Sequence, residues 1–364
     1  MKIILFDIIG MKSGCKYYDI AFYKQLLSHG FDAEIHSNFS IDDTTNPSIE
    51  NIYIGNKISK LLKLIKLLPN FAKDVIKNKN NKFVYMTYGE IIDCLMIAIF
   101  VIFHPKPMLD VHEFISLDKQ NNKLYNWLFK MLYRRIYAVI YHSERSKQYL
   151  NKIHYCGNKL FVPHFKYEFS KEYAPQSIDT EIIKSCKTSK IKILFFGHMR
   201  KSKGIDMVLN SISITPKNVL DNLHFIFAGS DPHGIVKNKL MDLNEKASLS
   251  TILRYIQDEE LNYLFDNADL ILLPYEEVSQ SGILETAVYF RKPMILSDIA
   301  YFKSFATAFP SFVYMIRKDD VTMLSKTYSK ISSNGLKKYN QAEINSFYET
   351  DKFDTFFNKL SRCS

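Results

Sequence analysis

The segment Ile193-Leu194-Phe195-Phe196-Gly197-His198-Met199-Arg200-Lys201-Ser202-Lys203-Gly204-Ile205-Asp206 joins an apolar run, a glycine, two separated cations and a helix start. Gly197 lets the backbone turn sharply with no side chain in the way. Arg200 and Lys203 can neutralise phosphate oxygens, and the N–H groups at the start of the next helix point to the same place. That is a recipe for holding a diphosphate. A lysine in a first helical turn is usually just solvated, but it sits at the unfavourable end of the helix dipole, at a cost of about 0.3 kcal/mol or more where no anion is near. A second segment, Leu273-Pro274-Tyr275-Glu276-Glu277-Val278-Ser279-Gln280-Ser281-Gly282-Ile283-Leu284-Glu285, supplies acids, hydroxyls and a glycine ahead of another helix. Amides around Ser281 and Gly282 suit a β-phosphate or sugar oxygens, and Glu277 and Glu285 suit sugar hydroxyls. Ordinary acid enrichment at a helix start is the competing reading of those two acids. Between the two segments, Phe227-Ala228-Gly229-Ser230 ends an apolar run with a glycine that would let a nucleotide approach the backbone. Together these segments suggest an enzyme that uses a nucleotide sugar.

The first half of the chain offers less specific signals. The run Lys2–Ile8 leads into Ile9-Gly10-Met11-Lys12-Ser13-Gly14-Cys15, and a loop at the end of a first parallel strand is where open α/β sheets bind ligands. Gly14 is the candidate there, although any strand-to-helix turn tolerates a glycine. A nicotinamide enzyme would place G-x-G-x-x-G at this point, and the sequence does not. Leu109-Asp110-Val111-His112-Glu113-Phe114 ends another strand with a histidine and an acid side by side. His112 suits a sugar hydroxyl or a transferring phosphate; its other reading is a strand-end histidine bonded to the backbone. Ser143, after the run Ala138–Tyr141, is expected to cap a helix.

These residues need a scaffold, and the pattern supplies one. Short runs rich in Ile, Val and Phe alternate with segments at helical spacing, as in βαβ units around a parallel sheet. Strands are expected at 2–8, 32–36, 83–87, 108–111, 138–141 and 159–162, then at 191–196, 223–228, 251–255, 270–273, 294–296 and 311–314. The fold class is therefore α/β, with two Rossmann-like modules: residues 1–165, a polar linker at 166–189, and residues 190–345. A terminal helix follows in 346–364, with Phe353, Phe356, Phe357 and Leu360 on one face.

A chain of 364 residues with 47% hydrophobic and 24% charged residues is globular and long enough for two domains. The run Ile91–Phe103 carries Asp93 and falls short of the roughly 18–20 residues of a spanning helix, so no transmembrane segment is expected. Met1–Ile9 reads as a buried strand rather than a signal peptide. Five scattered cysteines spell out neither a zinc site nor a redox pair, which fits a reduced, cytoplasmic protein. The net charge of +10 favours anionic partners. Nucleic acid is not expected among them, because the charge is dispersed lysine with no recognisable zinc or RNA-binding signature. Residues 57–68 point elsewhere: Lys57, Lys60, Lys63 and Lys66 share one half of a helical wheel, with Leu64 and Leu67 intruding on it, and Ile58, Leu61, Leu62, Ile65 and Leu68 share the other. Such a helix suits an anionic membrane surface, or alternatively packs its apolar face into the core.

The motifs of the second half also carry a family resemblance. The stretch Phe196 through Asp206, then Phe227-Ala228-Gly229, Tyr255-Ile256-Gln257-Asp258-Glu259-Glu260-Leu261, Ala268-Asp269 and Leu273-Pro274-Tyr275 through Lys292-Pro293 resemble, in order and spacing, the C-terminal half of family 4 retaining glycosyltransferases (glycosyl transferases group 1). The likeness covers about 191–304; the first 165 residues match in general layout. It implies a GT-B fold of two facing Rossmann-like domains, with a C-terminal helix that crosses back to the first. It also implies a nucleoside-diphosphate sugar as donor and transfer with retention, no cofactor and no metal. Arg200 and Lys203 would hold the diphosphate, His112 would meet the reacting sugar, and Gly14, Gly197, Gly229, Ile256, Ser281, Gly282 and Glu285 would line the donor site. Glu277 and Glu285 would match the family's E-x7-E element. Two departures stand out: His198 occupies a place where many members have arginine, and the interval from Glu285 to Pro293 is one residue longer than the common form, so that alignment on Lys292-Pro293 would put Thr286 at the second acid. Members of this size with a basic amphipathic face suggest a lipid-linked saccharide acceptor, a peripheral place at the inner face of the membrane, and a role in surface polysaccharide or O-antigen assembly. A non-catalytic sugar- or nucleotide-binding protein on the same scaffold is the alternative.

Overall fold

A computed structural model describes residues 2–11, 14–40, 48–114, 122–169, 175–278, 280–348 and 351–363. The chain divides into two compact units, Met1–Tyr167 with Glu349–Ser364, and Glu168–Tyr348.

The first unit alternates strands and helices: β1 (Ile3–Asp7), α1 (Cys15–Ser28), β2 (Ala33–Ser37), α2 (Lys57–Lys77), β3 (Lys82–Thr87), α3 (Ile91–Phe103), β4 (Met108–Val111), α4 (Lys123–Tyr133), β5 (Ala138–Tyr141), α5 (Glu144–Lys152) and β6 (Asn158–Phe161). Its sheet is parallel, in the order β2-β1-β3-β4-β5-β6. Right-handed crossovers send the one leftward connection, α1, to one face and α2 to α5 to the other. The packing agrees. Phe71 and Val75 of α2, Met96 and Phe100 of α3, Phe129 and Tyr133 of α4 and Leu150 of α5 share a core with Ile4, Phe6, Phe83, Tyr85 and Val139 of the sheet. On the opposite face Phe22 of α1 stacks on Phe165 at 4.9 Å. The chain's last helix lies there too, at 351–362, with Phe353, Phe356, Phe357 and Leu360 buried as their spacing predicts. Lys82 Nζ anchors its end by donating to the carbonyls of Leu360 (2.5 Å) and Ser361 (2.9 Å). Asp93, the charge that breaks the apolar run of α3, is buried at the helix start and caps it, taking the N–H of Glu90 (2.8 Å) and the hydroxyl of Tyr85 (2.5 Å). Among the described residues no helix is long and apolar enough to cross a membrane.

The second unit begins with α6 (Thr180–Cys186) and continues β7 (Ile191–Phe196), α7 (Ile205–Ile214), α8 (Lys217–Leu220), β8 (Leu223–Ala228), α9 (Ile235–Asn244), β9 (Ser248–Ile252), α10 (Asp258–Asn267), β10 (Leu270–Leu273), α11 (Gly282–Tyr289), β11 (Met294–Ser297), α12 (Ala300–Ala308), β12 (Val313–Ile316), α13 (Val321–Asn334) and α14 (Gln341–Tyr348). The strand order is β12-β11-β10-β7-β8-β9, again parallel. Part of the stretch read as a linker, 166–189, is thus the helix α6, which packs on β9 and α10. The terminal stretch contains the break between α14 and the last helix, α15 (Asp351–Arg362). Strand β9 lies three residues earlier than its apolar pattern places it. Its register follows β8, with Ala228 opposite Ile252. Beyond that pair Gly229 N–H donates to the Ile252 carbonyl at 2.9 Å, and Arg254 leaves the sheet to donate to the Glu260 carboxylate from both terminal guanidinium nitrogens at 2.7 Å.

Candidate functional site

In the second sheet β7 has β8 on one side and β10 on the other. The loops that follow β7 and β10 therefore leave in opposite directions, which opens a crevice at the carboxyl ends of the strands. Those loops are the two chemistry-bearing segments of the sequence. Gly197 turns the chain at φ +106°, and a Cβ there would lie 3.0 Å from Lys203 Nζ and 3.2 Å from Ile283 Cδ1. The turn, the lysine and the first turn of α11 thus meet at one point. Gly204 brings the loop back at φ +73° so closely that a Cβ would stand 2.0 Å from the Pro274 carbonyl oxygen. Glu276 N–H donates to the Ser202 carbonyl (2.9 Å), which ties the two loops together. Gly229, at φ +134°, faces the same turn: a Cβ on it would be 1.9 Å from Gly197 O. Only glycine satisfies these approaches.

Lys203 Nζ lies 5.2 Å from the centre of the Tyr275 ring. Burial, with the nearby Arg200 guanidinium adding to it, lowers its amine to about 8. Two cations held close with no acid between them are costly until an anion arrives. Arg200 itself is exposed, in extended conformation before the tight turn Lys201–Lys203. His198 carries its ring to the Ser230 hydroxyl, and Met199 N–H donates to Ser230 O at 2.9 Å. His198 and Met199 thereby secure the turn to the loop after β8.

Ser281 caps α11, its hydroxyl accepting from Leu284 N–H at 3.3 Å, and Gly282 is the first helical residue. The helix start that faces Gly197 and Lys203 is therefore built as the sequence predicts. The two acids of the segment have different surroundings. Glu277 is exposed in the loop. Glu285 is 2% exposed, takes the Tyr348 hydroxyl hydrogen, and is pushed up to about 8 by burial, so it holds a proton at neutral pH. Thr286, the other residue at that step, donates to its own helix at Gly282 O (2.8 Å). Ile256 is buried just after β9, beside an exposed Tyr255. Ser279 lies outside the described residues.

Gly14 and His112 belong to the first unit. Gly14 stands at the N-cap of α1 with φ +73°, where a Cβ would meet only the Tyr17 ring at 3.6 Å. The loop before it is held by Asp7, whose carboxylate takes the N–H groups of Ile9 (2.8 Å) and Gly10 (2.7 Å). His112 lies beyond β4, buried between two tyrosines: Tyr88 stacks on it at 4.7 Å with 9° between the planes, and Tyr18 meets it edge-on at 4.4 Å. Ser143 caps α5 as expected, accepting from Ser146 N–H at 3.2 Å.

Around His112 lies a buried polar cluster that sequence reasoning missed. His142, at the end of β5, has Nε2 2.6 Å from Asp110 Oδ1 and Nδ1 3.1 Å from the Val162 carbonyl oxygen. Tyr18 donates to Asp110 Oδ2 at 2.8 Å. The imidazole and the tyrosine hold the Asp110 carboxyl below its ordinary value against the effect of burial. Asp19, on α1, is pushed far upward by burial and by the nearby Asp7 and Asp110 carboxylates. His164, at the end of β6, is lowered to about 3 by burial and by His142 and His112, and is neutral. Asp110, His112 and His142 place ligand-type atoms within 4.8 Å of one another. The signal in the sequence was an acid inside an apolar strand, Asp110, with histidines just past three successive strands.

Comparison with known proteins agrees with this geometry. Residues 178–346 match the family model Glycosyl transferases group 1. No curated protein matches the sequence. Among solved structures, a sucrose-phosphate synthase from Thermosynechococcus elongatus superposes with a TM-score of 0.66 at 14% identity, over 100% of this chain and 98% of the other. Anabaena HepE in complex with UDP-glucose gives 0.61 at 13% identity, over 100% of both chains. An E. coli trehalose-6-phosphate structure bound with UDP-2-fluoro glucose gives 0.62 at 10% identity, over 98% of this chain and 96% of the other. At these identities the likeness is one of fold, and the fold is GT-B. Residues 178–346, which contain the β7 and β10 loops, are similar to the glycosyl transferases group 1 family, and the chain is a glycosyltransferase that uses a nucleotide sugar.

Proposed function

We propose that the protein moves a sugar from a nucleoside-diphosphate sugar to a lipid-linked saccharide, with retention of configuration, in surface polysaccharide or O-antigen assembly. The observation that carries this reading is the placement of Lys203 Nζ over the Gly197 turn and against the start of α11. As the glycosidic bond to the leaving nucleotide breaks, negative charge develops on the β-phosphate. Lys203, Arg200 and the amides at Ser281 and Gly282 are fixed beforehand where that charge would form, which is electrostatic catalysis. Positive charge comes from the chain itself, so the proposed reaction requires no metal. His112 is proposed to meet the reacting sugar, Glu277 to accept from sugar hydroxyls, and Gly229 and Ile256 to let the nucleotide lie against the backbone.

A lipid-linked acceptor is supported by α2. Ile58, Leu61, Leu62 and Ile65 are all exposed, and only Leu67, Phe71 and Val75 of that helix are buried. In its first half only Leu64 and Leu67 turn to the core; the exposed apolar residues together with its lysines suit a cytoplasmic protein held at the inner face of an anionic membrane. UDP-glucose is the first donor to test, because the HepE and E. coli structures hold it or its fluorinated analogue. Saturation-transfer NMR against UDP-, GDP- and ADP-linked sugars, repeated with Lys203→Ala, tests the proposal. One donor bound by the wild type and weakened by the substitution is expected; a folded wild type that binds none of them overturns it.

A further inference from the structure

We infer that α2 is one third of a membrane-docking face, and that the outer sides of α3 and α4 complete it. Helices α2, α3 and α4 adjoin in that order and rest on the same side of the first sheet through one shared core. Their outward sides are therefore neighbours. A helix of a two-layer domain normally turns polar residues outward, and these do not. On α4, Tyr125, Phe129 and Tyr133 face the sheet, yet Leu124, Trp127, Leu128 and Met131 form a second stripe at i, i+3, i+4, i+7 that is exposed, Leu124 by 67% and Trp127 by 56%. On α3, Ile91, Leu95 and Ile102 form an exposed stripe in the same way, Ile102 at 68%. Three adjacent helices that are apolar outward make an apolar patch of a kind that marks an interaction surface.

Charge selects the occupant. The three helices carry eight lysines, six on α2 and two on α4. They carry two carboxylates: Asp74, bound to His36 at 2.5 Å, and Asp93, buried. Lys63 spends its amine on the carbonyls of Asn51 (2.9 Å) and Ile54 (3.0 Å), while Lys57, Lys60, Lys66 and Lys123 are exposed. A second copy would bring the same positive face of a chain with net charge +10, and like charges would oppose. An anionic bilayer surface satisfies both the apolar stripes and the lysines, with Trp127 at the depth where indole rings settle. The inference rests on the membrane-bound acceptor proposed above and names the surface that would meet it.

Trp127 is the chain's one tryptophan, so its fluorescence reports on α4 alone. The full-length protein is titrated with vesicles of phosphatidylcholine, with and without about one third phosphatidylglycerol, and binding is followed in parallel by co-sedimentation. A blue shift confined to the anionic vesicles and reversed by salt is expected. Leu124→Ser/Met131→Ser, a change at exposed positions, should weaken binding at least about tenfold, as should Leu61→Ser/Ile65→Ser on α2. Sedimentation with unmoved Trp127 emission and a wild-type-like α4 variant would overturn the three-helix face and leave α2 as the contact. No binding to either vesicle would overturn it together with the membrane part of the proposed function, while donor binding in the NMR screen reports on the transferase site separately. An emission shift that grows with protein concentration without lipid would assign the face to a second copy and overturn it as well.

Discussion

Glu285 gives the most quantitative prediction. Its carboxyl is enclosed on α11, receives the Tyr348 hydroxyl hydrogen, and is pushed up to about 8 by burial. In the unfolded chain the same group ionises near the ordinary glutamate value, so above that value the unfolded state has released a proton that the folded state keeps. The stability due to this group is whole below the unfolded value and is lost as pH rises towards about 8. The loss runs at about 1.4 kcal/mol per pH unit, which amounts to roughly 3–4 kcal/mol between about pH 5 and about pH 8. Glu285→Gln removes the titration and keeps the shape, and its amide carbonyl still accepts from Tyr348. Urea unfolding followed by circular dichroism at several pH values, on wild type and variant, should show two curves close together near pH 5. The wild type should fall progressively below the variant above that. A difference independent of pH would show that the carboxyl ionises normally in the folded protein, and a wild type that gains on the variant with rising pH would mean that it is held as a carboxylate. Either result refutes the burial argument.

Two further predictions concern Lys203, in the loop after β7, and a pair of glycines, Gly229 after β8 and Gly14 before α1. Lys203, lowered to about 8 by burial and Arg200, should bind a nucleoside diphosphate more weakly as pH rises above that value, because the neutral amine no longer offsets phosphate charge; Lys203→Ala should cost roughly tenfold or more at neutral pH and flatten the profile, both read by calorimetric titration. Gly229→Ala and Gly14→Ala make the same chemical change at positive φ with different surroundings. The first drives a Cβ to 1.9 Å from Gly197 O and should cost more than about 3 kcal/mol together with donor binding, whereas the second meets only the Tyr17 ring at 3.6 Å and should cost about 1 kcal/mol, both measured as shifts in unfolding midpoint.

The scaffold was legible because a parallel sheet covered on both faces demands continuous apolar strands, and Leu223–Ala228 or Leu270–Leu273 fit nothing else. The strand that shifted, β9, is the edge strand with polar serines at Ser248 and Ser250, where apolar pattern is weak and pairing with β8 decides the register. The glycine turns after β7 and β8 were legible because they are forced by backbone approach, and backbone constraints leave their mark on residue type. Two things escaped. The histidine cluster is assembled from β4, β5 and β6, far apart in sequence, so no local window contains it. The outer stripes of α3 and α4 were hidden because an apolar helix looks the same from sequence whether its second face meets a neighbour or nothing.

The two units hold charge in opposite ways, and the difference follows from what each must do. In the second unit Arg200 and Lys203 stand together, with no carboxylate paired to either among the described residues, an arrangement that is unfavourable in isolation and becomes favourable with an anion. In the first unit buried acids are held by donors on the chain itself: Asp110 by Tyr18 and beside His142, and Asp7 by the N–H groups of its loop. His112 stands against this paired group with its ring plane fixed by Tyr88 on one side and Tyr18 on another. Tyr18 in turn is fixed by its hydrogen bond to Asp110, so the buried ion pair acts on His112 through the tyrosine. A side chain proposed to meet a reacting sugar gains most from such support, because its position is then set before the substrate arrives. An ion pair buried this deeply is weak evidence for stability by itself, and its value here lies in the geometry it imposes.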